Sequence, residues 1–279
     1  MIQIYILTNV SFSVTIRYMN HLGNLRVVAV GGGAPNKSSA PALIEAVEMS
    51  GTEKTRVLII PTAKVTAEAH NTTVNAARDL YSNRLGIETA VLHEFNVDPT
   101  LDQVENEIGN AGVVYISGGD TDRMMKIWTR SGVARVLGSE ALEGAVVLSG
   151  ISAGAIAPFR WGHSDSLSYR PEHSEDWDYI AVSGLDLIPA AITPHHNSVN
   201  ERLGARADSF RKLFEQESVA REIQTGFGVD NFAAIKIQDG KITPLYSKPD
   251  HRVTVLKKDG YKTESHVMIQ DDSIKLDTL

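Results

Sequence analysis

A serine stands between two glycines in Gly150-Ile151-Ser152-Ala153-Gly154, directly after the apolar run that ends at Leu148. The spacing G-x-S-x-G is that of a strand-turn-helix elbow, in which a sharp turn lifts a serine oxygen clear of a buried sheet. Glycines are needed because such a turn is strained and because strand and helix approach closely there. A serine presented in this way is a candidate nucleophile, and the next backbone N–H, that of Ala153, can donate to an oxyanion. A second glycine turn, Gly118-Gly119-Asp120-Thr121, also ends an apolar run. Its N–H groups can face a ligand, which makes Gly119 a second oxyanion donor. Asp120 is then either the cap of the following helix or a substrate contact.

A serine hydroxyl is scarcely ionised at neutral pH and needs a base. Thr193-Pro194-His195-His196-Asn197 follows a short apolar run, so a histidine here can reach the serine across one edge of a sheet. Successive residues on a strand point to opposite faces, and at most one of the two histidines fits. Asp165, Glu172, Asp176, Asp178 and Asp230 are all available to hold the imidazole, and spacing does not choose among them. The histidines lack the H-x-x-x-H or H-x-H spacing of a zinc site, so no metal is expected. Gly31 to Ser38 comes close to a phosphate-binding loop, but Asn36 stands where the second glycine belongs and Pro35 removes an N–H. A glycine turn facing substrate is the better reading, and no cofactor is expected.

The elements that must position these residues alternate in character. LRVVAVGGG (25–33), RVLIIPTA (56–63), IETAVL (87–92), GVVYISGG (112–119) and AVVLSG (145–150) read as short buried strands. Amphipathic segments near Ala42–Met49, Ala67–Leu85, Leu101–Ile108 and 122–142 separate them. The pattern predicts an α/β fold with a mainly parallel sheet between layers of helices. Ligands bind such sheets beyond the carboxyl ends of the strands, where all four glycine- or proline-marked loops fall. From Phe159 to Tyr179 the chain is rich in charge and reads as a loop. Beyond Thr225, Asp239-Gly240 and Asp259-Gly260 lie between β-rich runs and predict an antiparallel meander. Residues 25–279 are expected to form a single domain. Residues 1–24 are expected to be an extension, with Met19 as an alternative start.

Composition narrows the partners. Of 279 residues, 42% are hydrophobic and 22% charged, and the formal net charge is −7. Neither nucleic acid nor an anionic membrane suits an acidic chain without a basic run. Cysteine is absent, which excludes disulfides and thiolate chemistry and fits a cytoplasmic protein.

SGISAGAIAPFRWGHSDS, with SGGDTDRMMKIW upstream and GLDLIPAAITPHHN and GFGVDN downstream, resembles the peptidase E (aspartyl dipeptidase) and cyanophycinase family of serine peptidases. The resemblance runs from about Leu25 to Leu256. It implies a three-layer fold similar to class I glutamine amidotransferase domains, whose elbow carries a cysteine where Ser152 stands here. It implies Ser152 as nucleophile, His195 as base, and the Gly119 and Ala153 amides as oxyanion hole. In peptidase E the acid follows the serine closely, which points to Asp165. In cyanophycinase-like members it comes from a later stretch, where Asp230 remains but Asn231 replaces the glutamate. The family cleaves after aspartyl residues, so a cation is needed for the aspartate, and Arg160, His163 and Arg170 are the candidates. The implied substrate is a short peptide with an N-terminal aspartate, or alternatively a β-linked Asp–Arg bond. A homodimer is left open. The rivals are an α/β-hydrolase esterase, which usually places its histidine much farther downstream, and a non-catalytic binding module on the same scaffold.

Overall fold

The computed structural model describes residues 22–51, 56–173, 176–260 and 262–279. Residues 1–21, and with them most of the predicted extension, lie outside the described residues. Leu22–Asn24 form a 3-10 turn with Leu22 buried, so these three residues pack with the body of the protein.

The first half alternates strand and helix as the sequence predicts. It runs β1 (Val27–Val30), α1 (Ala40–Ser50), β2 (Val57–Ile60), α2 (Ala67–Arg78) and β3 (Thr89–Val91). It continues through α3 (Leu101–Gly109), β4 (Val113–Ile116), α4 (Thr121–Ser131), α5 (Val133–Leu142) and β5 (Val147–Ile151). The turn after β5 opens the short α6 (Ala153–Ile156), followed by β6 (Phe159–Ser164), β7 (Ile180–Ser183) and β8 (Ile188–Pro194). A small ribbon, β9 (Val199–Asn200) and β10 (Gly204–Ala205), precedes α7 (Arg206–Ala220). The remaining strands are β11 (Thr225–Val229), β12 (Ala233–Gln238), β13 (Lys241–Tyr246), β14 (Val253–Asp259), β15 (Lys262–Val267) and β16 (Ile274–Lys275).

Strands β3, β2, β4, β5 and β1 lie side by side and parallel. Beyond β1, the antiparallel β12, β13 and β16 complete an eight-stranded mixed sheet. The predicted α/β class is the observed one. A second sheet of six strands, ordered β15-β14-β11-β8-β6-β7, faces the first. Its existence depends on β6, which forms where the sequence suggested a loop: Phe159, Trp161 and His163 turn out fully buried. The C-terminal antiparallel strands are therefore shared between sheets, β12, β13 and β16 joining the first and β14 and β15 the second. The Asp239-Gly240 turn joins β12 to β13 with φ of 52° and 68°, the left-handed pair that a two-residue hairpin needs.

Burial follows the strand period of two. Val28 and Val30 face α1 and α2 along with Ile59 and Tyr115. Val27 and Ala29 face the opposite way, into a larger core that also takes Phe159, Ile192, Phe227 and Val229 from the second sheet. Behind the second sheet, Phe210 and Phe214 of α7 pack on Trp161, Ala191 and Leu256. The carboxyl ends of β1, β4 and β5 thus meet the end of β8 at the seam between the sheets.

The elbow after β5 depends on two close approaches. A Cβ at Gly150 would lie 2.2 Å from the Gly154 carbonyl oxygen, and a Cβ at Gly154 would lie 2.2 Å from that of Ile116. Backbone cannot yield to such contacts without moving a strand. Gly154→Ala should therefore lower unfolding free energy by about 1–3 kcal/mol, as overpacking does elsewhere. Urea unfolding of the variant checks this, and an unchanged midpoint would refute the close-packing argument.

Candidate active site

Ser152 holds φ 58° and ψ −111°, a conformation that L-residues avoid and that costs of order 1–3 kcal/mol unless the surroundings impose it. Here they do. The Ser152 N–H donates to the Val30 carbonyl at 3.0 Å, which ties the turn to β1. The Gly118-Gly119 turn lies alongside, since a Cβ on Gly118 would come within 3.0 Å of the Ser152 Cβ. Gly119 has φ 142° and passes so near Ala63 that a Cβ would sit 2.2 Å from its carbonyl oxygen. Among the described residues no protein acceptor takes the N–H groups of Gly119 and Ala153.

His195 follows the last residue of β8 at φ 52°, and its N–H donates to the Gly31 carbonyl at 2.9 Å. The ring reaches across the seam. Its Nε2 is 2.9 Å from Ser152 Oγ, and its Nδ1 is 2.7 Å from Asn231 Oδ1. The glycine turn after β1 provides the room: a Cβ on Gly32 would stand 2.1 Å from Asn231 Oδ1 and 2.4 Å from His195 Nδ1. This is the use of a loop that only superficially suggested phosphate binding. His196 points the other way, and its Nδ1 lies 3.3 Å from Asp230 Oδ1.

Neither acid expected at the histidine is there. Asp165 turns its carboxylate to Arg206, with Oδ2 3.4 Å from Nη1. Asp230 is buried and faces His196, and its other oxygen accepts the Arg252 N–H at 2.8 Å. An amide, that of Asn231, occupies the position at Nδ1. The expected substrate contacts also have other partners. Arg160 is the second residue of β6, near the end of the strand away from the elbow, and binds Asp186 at 2.7 Å and the Arg221 carbonyl at 3.0 Å. His163 is fully buried between Thr193 Oγ1 and Ser209 Oγ and stacks on Tyr179 at 4.3 Å. Burial, then Arg206, lowers its pKa to about 2, so it is a neutral core histidine. Arg170 forms an ion pair with Asp122. Asp120 is buried and caps α4, its Oδ1 accepting the Arg123 N–H at 3.0 Å.

The sequence profile of peptidase family S51 matches residues 27–245. The chain belongs to that family. It is 23% identical over 214 residues to the uncharacterized peptidase YgaJ of Bacillus subtilis (strain 168), covering 75% of this chain and 82% of that one. Its fold is similar to that of a peptidase from an acI-B1 Actinobacterium, with a TM-score of 0.68, 19% identity, and coverage of 90% of this chain and 96% of that one. A putative peptidase E protein from Listeria monocytogenes EGD-e aligns at a TM-score of 0.51 and 15% identity, over 80% of this chain and 98% of that one. The resemblance to the peptidase E family is borne out.

Two residues of this S51 peptidase's site escaped the sequence reading. Asn231 stands where the family resemblance places a glutamate, and an amide accepts from Nδ1 as an acid would, so the search for a carboxylate at Asp165 or Asp230 passes over it. Arg206 carried no signal at all. It opens α7, is 4% exposed, and donates to the His163 carbonyl at 2.9 Å while lying over the Tyr179 ring at 4.7 Å. Burial lowers the His195 pKa, and Arg206 lowers it further, against smaller raising effects from Asn231 and Asp165. The imidazole is therefore held in its neutral, basic form.

If Gly32 exists to make room for the imidazole and the amide, Gly32→Ala should displace both while leaving the sheets intact. The expected result is a loss of serine reactivity toward a fluorophosphonate of about 10²-fold or more, with an unchanged circular dichroism spectrum. Labelling at the wild-type rate would show that the turn has no bearing on the histidine.

Proposed function

We propose that this peptidase is a serine exopeptidase that cleaves short peptides carrying an N-terminal aspartyl residue. The observation that carries the reading is the strained Ser152 elbow with Nε2 of His195 2.9 Å from its oxygen. Ser152 Oγ attacks the scissile carbonyl carbon as its proton passes to His195 Nε2. The carbonyl oxygen becomes an oxyanion and is received by the N–H groups of Gly119 and Ala153. Collapse breaks the C–N bond, the amine leaves with the proton from His195, and water then hydrolyses the acyl-enzyme by the same route.

Arg206 is the cation assigned to the aspartyl carboxylate, in place of Arg160, His163 and Arg170. Its guanidinium is buried and close enough to His195 to affect its charge; Nη2 is held by the His163 carbonyl, whereas Nε and Nη1 make only 3.4 Å contacts, to Thr193 Oγ1 and Asp165, that a substrate carboxylate would replace. Asp165 beside it provides a carboxylate for the free ammonium of an N-terminal residue. A cleft of about 430 Å³, lined by Val65, Asp120, Arg123, Tyr169 and Arg170 among others, begins at Asp120, the residue after Gly119, and has room for the rest of a short peptide.

Ser152→Ala should reduce turnover by at least about 10³-fold with folding intact, since the turn tolerates a small side chain. A panel of Asp-X, Asn-X, Glu-X and β-Asp-X dipeptides tests the substrate class, and cleavage of the β-linked members alone would replace the α-aspartyl assignment. Arg206→Lys keeps the charge but loses the fork. It should raise KM for Asp-X about ten-fold with little change in kcat, the equivalent of about 1.4 kcal/mol of ground-state binding. Equal KM values for Asp-X and Asn-X in the wild-type enzyme would remove Arg206 from this role.

A further inference from the structure

We infer that Asn231 is the positioning residue of the site, so that the serine is activated through a Ser–His–Asn relay whose third member carries no charge. This rests on the reading of Ser152 as nucleophile and His195 as base. For His195 to accept a proton from Ser152, its Nε2 must be bare and its Nδ1 must carry the hydrogen. A group at Nδ1 that can only accept enforces that tautomer, and the Asn231 oxygen, 2.7 Å away, does so.

An amide could equally turn its nitrogen to the ring and force the wrong tautomer. The surroundings prevent this. Asn231 Nδ2 donates to Asn197 Oδ1 at 3.1 Å and lies 3.3 Å from Ser198 Oγ, while the Asn231 backbone N–H donates to the same Asn197 oxygen at 3.0 Å. That oxygen is thus committed to accepting, and a flipped Asn231 would set its own oxygen against it. The HHNS stretch after β8 therefore supplies both the base and the residues that hold the base's partner in place. The missing side chain at Gly32 is consistent with this pair being the one the fold accommodates.

A carboxylate at this position would stabilise imidazolium far more strongly than the uncharged amide oxygen, whose raising effect is outweighed by burial and Arg206. The charges around the ring come from several elements. Arg206 on α7 opposes protonation, and Asp165 after β6 favours it more weakly. Asp230 of the β11–β12 crossover is engaged by His196. Phe232, next to Asn231, carries Lys248 and His251 against its ring. The glycine turn and the elbow contribute no charged group. With burial and Arg206 dominant, His195 remains a base below its ordinary value of 6.5, and serine reactivity persists into mildly acidic solution.

The test reads the serine directly, without a substrate: the rate of labelling by a fluorophosphonate as a function of pH. Wild type should show an acid limb with its midpoint below that of free imidazole. Asn231→Ala should label about 10²- to 10⁴-fold more slowly at the plateau. Asn231→Asp should keep most of the reactivity and move the acid limb up by about one unit or more. Asn197→Ala, which frees the amide to flip, should fall between wild type and Asn231→Ala. Thermal unfolding of each variant confirms that it is folded. The inference fails if folded Asn231→Ala labels as fast as wild type with the same acid limb. It also fails if Asn231→Asp falls as far as Asn231→Ala with its acid limb unmoved. Absence of labelling in the wild type, beside a reactive serine-enzyme control, would instead overturn the nucleophile assignment on which the inference rests.

Discussion

The site depends on how the two sheets are joined at the end of β1. Gly31 accepts the His195 N–H at 2.9 Å and donates to the Ala233 carbonyl at 3.0 Å, and Gly32 accepts the Phe232 N–H at 3.1 Å. One short glycine segment thus binds the end of β8 from the second sheet and the crossover that leads into β12 of the first. A Cβ on Gly31 would lie 2.2 Å from the Asp230 carbonyl oxygen. No larger residue lets the strands approach this closely. The histidine, its amide partner and the serine belong to three separate parts of the chain, and this seam brings them within hydrogen-bonding distance.

Strain collects at the same place. Ser152 and His195, the two groups that exchange a proton in the proposed reaction, both have positive φ. Each is held by a backbone hydrogen bond at the end of β1, from Ser152 to Val30 and from His195 to Gly31 just beyond the strand. Left-handed conformations of non-glycine residues persist only where surrounding packing over-determines them. The parallel strands β4, β5 and β1, buried on both faces, provide that rigidity. Pre-organisation of this kind lets a reaction proceed without reordering the catalytic groups at the moment of bond making.

Electrostatics separates the buried His163 from the half-buried His195. His163 lies in the core, bonded by hydroxyls and stacked on an aromatic ring, and burial keeps it uncharged. His195 is also biased toward neutrality, but its Nε2 meets a hydroxyl that can give up a proton. Arg206 affects both rings. Its own charge is balanced by Asp165, 3.4 Å away, and stabilised by the Tyr179 face and the His163 carbonyl. A single buried cation therefore discourages protonation of both rings.

The order of buried strands and amphipathic helices was legible in the sequence because fully covered parallel strands read as continuous apolar runs. So was the elbow, since only glycine tolerates the contacts at 150 and 154. The hairpin at Asp239-Gly240 was legible for the same kind of reason, a left-handed turn that few residues adopt. Ser152 and His195 stood out because the chemistry of a nucleophile and its base restricts residue type. What orients the base is less restricted. An asparagine, an aspartate or a glutamate all accept from Nδ1, and which one stands there is settled by the crossing of β11 into β12. The second sheet was equally hidden, because Arg160 and His163 made β6 look polar when one pairs at its edge and the other is hydrogen-bonded inside. Local sequence determines what each turn can do, whereas contacts between residues far apart in the chain decide which charged groups neutralise one another and which remain free for chemistry.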